Sequence, residues 1–310
     1  MINSISVIIP IYNSAEILPE LAERLNKSLN ALTDQYEILM INDGSKDNSW
    51  QVIQSLSSTY PAIKGINLMR NYGQHNALLC GIRNAKNEYL VTMDDDLQHP
   101  PEEIHKLLKE IHKGFDVVYG IPQKLVHKKW RNFSSKITKN LLARFLGIKR
   151  IKYLSAFRIM RREVRKAFEK FDNPNVIIDA LLTWGTENFG TVEVNEQPRS
   201  QGHSNYNFFK LVKITMIILT GFSTIPLRIS SVIGFALTIF GIGILTYTVV
   251  RTFLEGSIPG FPFLASIISI FSGAQLFSLG IIGEYLARIF NRSMNHPSYI
   301  IDATINEQTT

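Results

Sequence analysis

Three consecutive carboxylates, Asp94, Asp95 and Asp96, follow an apolar, β-prone run from Tyr89 to Met93 and precede Leu97-Gln98-His99-Pro100-Pro101-Glu102. Adjacent acids repel one another, so solvation alone is a weak reason to set three of them at the mouth of a sheet. A hard divalent cation, Mg²⁺ or Mn²⁺, is a stronger one, because it takes oxygen ligands and keeps positions open for substrate phosphates. In an extended chain Asp94, Asp96 and Gln98 point one way and Asp95 the other. That makes the first three the candidate metal ligands and leaves Asp95 for the substrate or for supporting the ligands from behind. The alternative is a solvated acidic turn, and a lone Asp-x-Asp does not choose between the two. Pro100 and Pro101 stop the strand, and Pro101 suits the first turn of a helix.

The elements that must position these acids alternate along the chain. Apolar runs at 4–10, 36–41, 63–68, 89–93 and 115–119 read as strands, and helical spacing places helices at about 15–32, 47–58, 74–84 and 101–113. This is an α/β pattern with a mostly parallel sheet flanked by helices. Ligands of such sheets bind beyond the carboxyl ends of the strands. Asn13, Asp43, Asn71 and the three acids stand at four successive strand ends. One polar residue there is an ordinary turn former; four sets on one edge suit a nucleotide-sized pocket. Neither GxGxxG after the first strand nor GxxxxGK[ST] occurs, which argues against the usual dinucleotide folds and P-loop NTPases.

Val7-Ile8-Ile9-Pro10-Ile11-Tyr12-Asn13, Ile41-Asn42-Asp43-Gly44-Ser45, Arg70-Asn71-Tyr72-Gly73 and the Asp94–Glu102 run together resemble the family 2 glycosyltransferases of GT-A fold, in their polyprenyl-phosphate branch. That resemblance implies that Pro10, Tyr12, Asn13 and Asp43 hold the base and ribose of a nucleotide sugar, with Asn71 and Asp95 also on the donor. It also implies that Asp94, Asp96 and Gln98 hold the metal on the diphosphate. Arg199-Ser200-Gln201-Gly202-His203-Ser204 is similar to the family's Arg-x-x-Gly-x-Ser segment near the acceptor. The chain departs from the family pattern at Ala156, where many bacterial relatives carry Asp, and at Asn205, where Lys is common. Ser14 and Ala15 likewise stand where an acid is frequent, and no Arg lies near 120–122.

The 310 residues carry a net charge of +7. Residues 121–170 hold 16 Lys and Arg against two Glu, a local net of +14. This block is either a solvated helical face or a binder of phosphate and lipid headgroups. No familiar nucleic-acid module is visible, so nucleic acid is not an expected partner. A single cysteine, Cys80, excludes an internal disulfide and fits a reducing compartment. Met1 leads almost directly into a strand, so no cleavable signal peptide is expected.

Residues 229–250 and 256–283 contain no charge, and each is long enough to cross a bilayer. Lys210, Lys213 and Arg228 before them and Arg288 and Arg292 after them place both outer flanks in the cytoplasm. The expected organisation is a cytoplasmic catalytic domain over 1–205, an interfacial amphipathic segment over 206–228, and a membrane domain over 229–310. That domain has spans at about 229–250 and 263–284 and a short cytoplasmic tail, and its seat is the inner membrane.

A nucleotide sugar, expected to be UDP-linked, then meets undecaprenyl phosphate or a similar polyprenyl phosphate at the membrane surface. A phosphate acceptor, already largely dianionic at neutral pH, needs positioning rather than a general base. Arg131, Ser155, Arg158, Arg199 and Ser204 are the candidate acceptor contacts, and Asp96, Arg158 and Arg199 the candidate catalytic residues. Competing readings are a membrane transferase acting on a glycan or lipid hydroxyl and a non-catalytic nucleotide-binding anchor. A homo-oligomer is compatible with all of them.

Overall fold

The computed structural model describes residues 4–123, 155–174, 176–197, 225–255, 260–294 and 296–306. Arg131, Arg199 and Ser204 lie outside the described residues, as do most of the basic block and of the segment at 206–228. The chain divides into two units, Met1–Asn205 with Asn295–Thr310, and Tyr206–Met294.

The first unit is built on an eight-stranded mixed sheet in the order β7-β5-β6-β4-β1-β2-β3-β8. Its centre is β1 (Ile5–Ile11), paired in parallel with β2 (Tyr36–Asn42) and β4 (Tyr89–Thr92). Every residue of β1 is buried, as expected of a β-branched run covered on both faces. Beyond β2 lies β3 (Ile63–Leu68), also parallel. On the other side β6 (Arg158–Arg161) runs antiparallel to both β4 and β5 (Val117–Pro122), and β7 (Phe189–Val194) pairs in parallel with β5.

Successive residues of β1 face opposite layers. Ile5, Val7, Ile9 and Ile11 join one core cluster with α1 (Leu18–Asn30), Ile53 of α2 (Ser49–Thr59) and α4 (Ile104–Ile111), whereas Ile8 joins the other with α3 (Gln74–Asn84) and α5 (Ile178–Gly185). In α1 the spacing of Leu18, Leu21, Leu25 and Leu29 forms the buried stripe.

Two details depart from the sequence reading. Chain beyond the second apolar helix returns to the sheet: β8 (Ile301–Ile305) pairs antiparallel with β3, and Asn67 donates to Asp302 at 2.9 Å. The residues expected to form a plain tail are thus an edge of the first unit. In addition, β4 ends at Thr92, so the acids sit on a turn and not on an extended chain. Leu97, 5% exposed, adopts φ +56°, a left-handed conformation unusual for a branched residue. The alternating directions inferred for Asp94 to Gln98 therefore do not apply.

The second unit comprises α6 (Ile225–Glu255) and α7 (Phe261–Ser293), which pack on each other. Leu227–Arg251 and Ile270–Ala287 are long and apolar enough to cross a membrane, and almost none of either stretch is buried within the protein. Val232, Phe235, Leu276 and Leu279 are each more than 60% exposed. A helix hydrophobic all round and bare of protein calls for lipid rather than water.

Candidate active site

The carboxyl ends of β1, β2, β3 and β4 surround a cavity of about 310 Å³, at the small end of the range for ligand pockets. It is lined by Pro10, Ile11, Tyr12, Asp43, Asn71, Gly73, Gln74 and the three acids. Of the sequence candidates, Pro10, Tyr12, Asp43, Asn71, Asp94, Asp95 and Asp96 meet here. Asn13 and Gln98 are not among the lining residues.

Asn13 instead builds the loop behind the cavity. It sits at φ +53°, donates its N–H to Ser45 Oγ at 3.0 Å and accepts the Lys46 N–H at 2.7 Å. Asp43 is 3% exposed and accepts the N–H groups of Tyr72 and Gly73 at 2.7 and 2.9 Å. Burial raises its pKa, and those two amides only partly offset the effect. The turn between them has no space for a side chain at residue 44. A Cβ on Gly44, which has φ +63°, would lie 2.5 Å from the backbone of Arg70 and Asn71. Gly73, at φ +94°, turns the chain into α3 and so brings Gln74 to the cavity.

The acids have different surroundings. Asp94 accepts a hydrogen bond from Gln74 Nε2 at 2.6 Å. Asp95 accepts the Ser14 hydroxyl at 2.5 Å; burial raises its pKa, Ser14 opposes the rise, and Asp96 adds to it. Asp96 accepts the Gln98 N–H at 3.1 Å. Gln98 thus contributes its peptide to this loop. Among the described residues no group of three His, Cys, Asp or Glu side chains is set to cage a metal. The donor set nevertheless fits a hard cation held by one or two carboxylates, the remaining positions going to donor phosphates.

Arg158, expected as an acceptor contact, is 1% exposed. Its guanidinium pairs with Asp179, donates to Thr92 Oγ1 at 3.0 Å and lies 5.7 Å from the Tyr119 ring centroid. Tyr119 also donates its hydroxyl to Asp179 at 2.9 Å. Burial is the largest influence and opposes the Arg158 charge, but Asp179, Tyr119 and Asp94 together outweigh it and the pKa is raised. Arg158 is therefore a buried cation behind the acidic loop, not a surface ligand for phosphate. Ser155 lies nearby in sequence and accepts the Phe157 N–H at 3.2 Å.

Sequence reasoning gave no part in the site to Ser14, Gln74 or Asp179. Gln74 has a visible signal, being the polar residue that opens α3 directly after the Arg70–Gly73 segment. Asp179 has none, because its partner is 21 positions away in the chain.

Comparison with known proteins gives a consistent result. The profile described as glycosyl transferase family 2 matches residues 6–170. An undecaprenyl-phosphate 4-deoxy-4-formamido-L-arabinose transferase of Shewanella sediminis is 34% identical, with 99% of this chain and 95% of the relative covered. A protein of the same description from Proteus mirabilis is 33% identical over 98% of this chain and 94% of its own. Among solved structures, glucosyl-3-phosphoglycerate synthase of Mycobacterium tuberculosis, crystallised with Mn²⁺, uridine diphosphate and glucosyl-3-phosphoglycerate, superimposes with a TM-score of 0.50 at 16% identity. The superposition covers 70% of this chain and 78% of that one. At that identity the likeness shows the fold, a GT-A-type sheet.

Proposed function

The chain belongs to glycosyl transferase family 2, and on that premise we propose that it transfers a sugar from a nucleotide-sugar donor to the phosphate of undecaprenyl phosphate at a membrane surface. The observation that carries this reading is the convergence of Asp43, Asn71 and the three acids on one cavity, in a chain similar over nearly its whole length to transferases named for that lipid acceptor.

Asp43, Tyr12 and Pro10 bind and orient the nucleotide, Asp43 accepting a base or ribose donor with the part of its carboxylate that Tyr72 and Gly73 do not use. Asp94 and Asp96 would hold Mg²⁺ or Mn²⁺, and such an ion, when bound, would supply stabilisation of the charge that builds on the leaving oxygen. Gln74 fixes the Asp94 carboxylate, and Ser14 fixes Asp95 beside it. The buried Arg158 charge, close enough to be influenced by Asp94, partly offsets the repulsion among the acids. Arg199, Ser204 and Arg131 are assigned to the acceptor phosphate on sequence grounds. The acceptor oxygen attacks the anomeric carbon as the nucleoside diphosphate leaves. A phosphate already ionised needs no proton removed, which agrees with Ala156 in place of an acid.

The protein is a two-span membrane protein with its catalytic unit on the cytoplasmic side. Arg228 and Arg288 flank the apolar stretches. Strand β8, beyond both apolar helices, pairs with β3 before them, which supports an even number of crossings. The function is tested by incubating the full-length protein in detergent with labelled nucleotide sugars, Mn²⁺ or Mg²⁺, and either undecaprenyl phosphate or free glycans. A labelled, mild-acid-labile lipid product is the expected result. Labelled glycan instead refutes the assigned acceptor.

A further inference from the structure

The acidic loop is braced from outside the cavity. Gln98 spans two contacts with one residue: its N–H donates to Asp96 Oδ1, and its carbonyl accepts the Gln197 N–H at 2.8 Å. Gln197 lies just past the end of β7, and that exit is held in turn by Glu103. The Glu103 carboxylate, on a residue 7% exposed, accepts both the N–H and the side-chain Nδ2 of Asn195, at 2.9 and 3.1 Å, and pairs with Lys106 at 2.6 Å. On the loop's other side His99 stacks on Phe157, ring centroids 5.2 Å apart. Between these braces sits Leu97 in its left-handed conformation. Such a backbone persists only where its surroundings enforce it.

We infer that Glu103 is a positioning residue: by holding Asn195 it keeps Gln197 against Gln98, and so keeps Asp96 in the geometry that receives the donor-bound cation. Glu103 lines no part of the cavity, so the route assigned to its effect is the Asn195–Gln197 segment and the Gln98 peptide. The inference rests on the functional reading above for the identity of the ligand. Losing an outer partner of a metal ligand typically weakens metal affinity by 10–100-fold.

The experiment is a calorimetric titration of Mn²⁺ and UDP into full-length protein in detergent, for wild type, E103A, E103Q and N195A, alongside melting curves and steady-state kinetics. E103A is expected to raise the half-saturating Mn²⁺ about tenfold while kcat at saturating metal stays within about threefold. E103Q, which keeps one acceptor oxygen for the Asn195 amide, recovers most of the affinity. If E103A does not fold, N195A, which removes one hydrogen bond, is read in its place and shows a smaller rise. Wild-type affinity in the folded variants, or a fall in kcat with metal affinity unchanged, overturns the inference alone. A wild type that shows no Mn²⁺-dependent UDP binding overturns the functional reading and the inference with it.

Discussion

Two carboxylates mark the two ends of β2, and each residue is 3% exposed. Glu37, near the strand's start, accepts the Ser6 hydroxyl at 2.6 Å and the Lys86 N–H at 2.7 Å, and pairs with Lys64 at 2.5 Å. Burial pushes its pKa up, but these partners outweigh burial and the net shift is down. Asp43, just past the strand's end, has two backbone amides and is shifted up. Burial is equal, so the partners make the difference. A cation at one end completes the carboxylate as structure; the other end keeps a carboxylate with unmet demand. Asp95, also shifted up with a hydroxyl as partner, belongs with the second kind. Unmet demand at the carboxyl edge of a sheet fits a ligand that supplies its own donors or cation.

The sharpest way to break this contrast is to remove a carboxylate from each edge of the sheet, Asp96 beyond β4 at the cavity edge and Glu37 at the opposite one. Asp96→Ala is expected to lower kcat on the order of 10²–10³-fold, the scale for losing one group that stabilises transition-state charge, with melting temperature nearly unchanged. Chelation by EDTA should mimic it, and added Mn²⁺ should restore only the wild type. Glu37→Gln at the opposite end is expected to cost about 2 kcal/mol of stability, since it leaves Lys64 without its charge partner, while turnover per folded molecule is kept. A denaturant melt and a kinetic assay on the same preparations read both. Comparable loss of turnover in the two variants removes the division between the ends.

Between these extremes, Asp43→Asn is expected to weaken nucleotide binding about tenfold, or roughly 1.4 kcal/mol, measured by displacement of labelled nucleotide. Gln74→Ala is expected to raise the metal requirement less than tenfold, because Asp94 stays and only its orientation loosens.

The smallest effect is in pH, and its sign differs between the ends. The folded pKa of Glu37 lies below its unfolded value near 4.3, so its contribution is present above that value and is lost as pH falls through the folded pKa. The folded pKa of Asp43 lies above its unfolded value near 3.9, so its ionisation costs stability as pH rises from there through the folded pKa. Stability of wild type minus Glu37→Gln should therefore shrink on acidification below about pH 4, while wild type minus Asp43→Asn should become more favourable to wild type. Melting curves between about pH 3 and 7 decide it.

How far these features were legible in the sequence depended on the distance over which they are encoded. Strands β1 to β4 and the polar residues at their ends announce themselves locally, through β-branched runs and turn formers, so the cavity's lining was readable. The direction of each acid was not. Alternation holds only while a strand lasts, and β4 stops at Thr92, two residues before Asp94. Arg158 was read as an acceptor contact from its place in a family motif; its burial and its pairing with Asp179, on a separate element, have no local signal. β8 was missed for the same reason. Ile301-Asp302-Ala303-Thr304-Ile305 carries little signal, and its partner β3 lies more than 230 positions earlier.

That strand also bears on how the protein is made. During synthesis β3 emerges early, yet the segment that covers its outer rim is produced only after both long apolar helices. Until then the sheet has a bare rim whose N–H and C=O groups invite any extended chain nearby. On the two-span reading, the nascent polypeptide carries that hazard while its apolar helices enter the bilayer, and the rim is sealed only once β8 has been made.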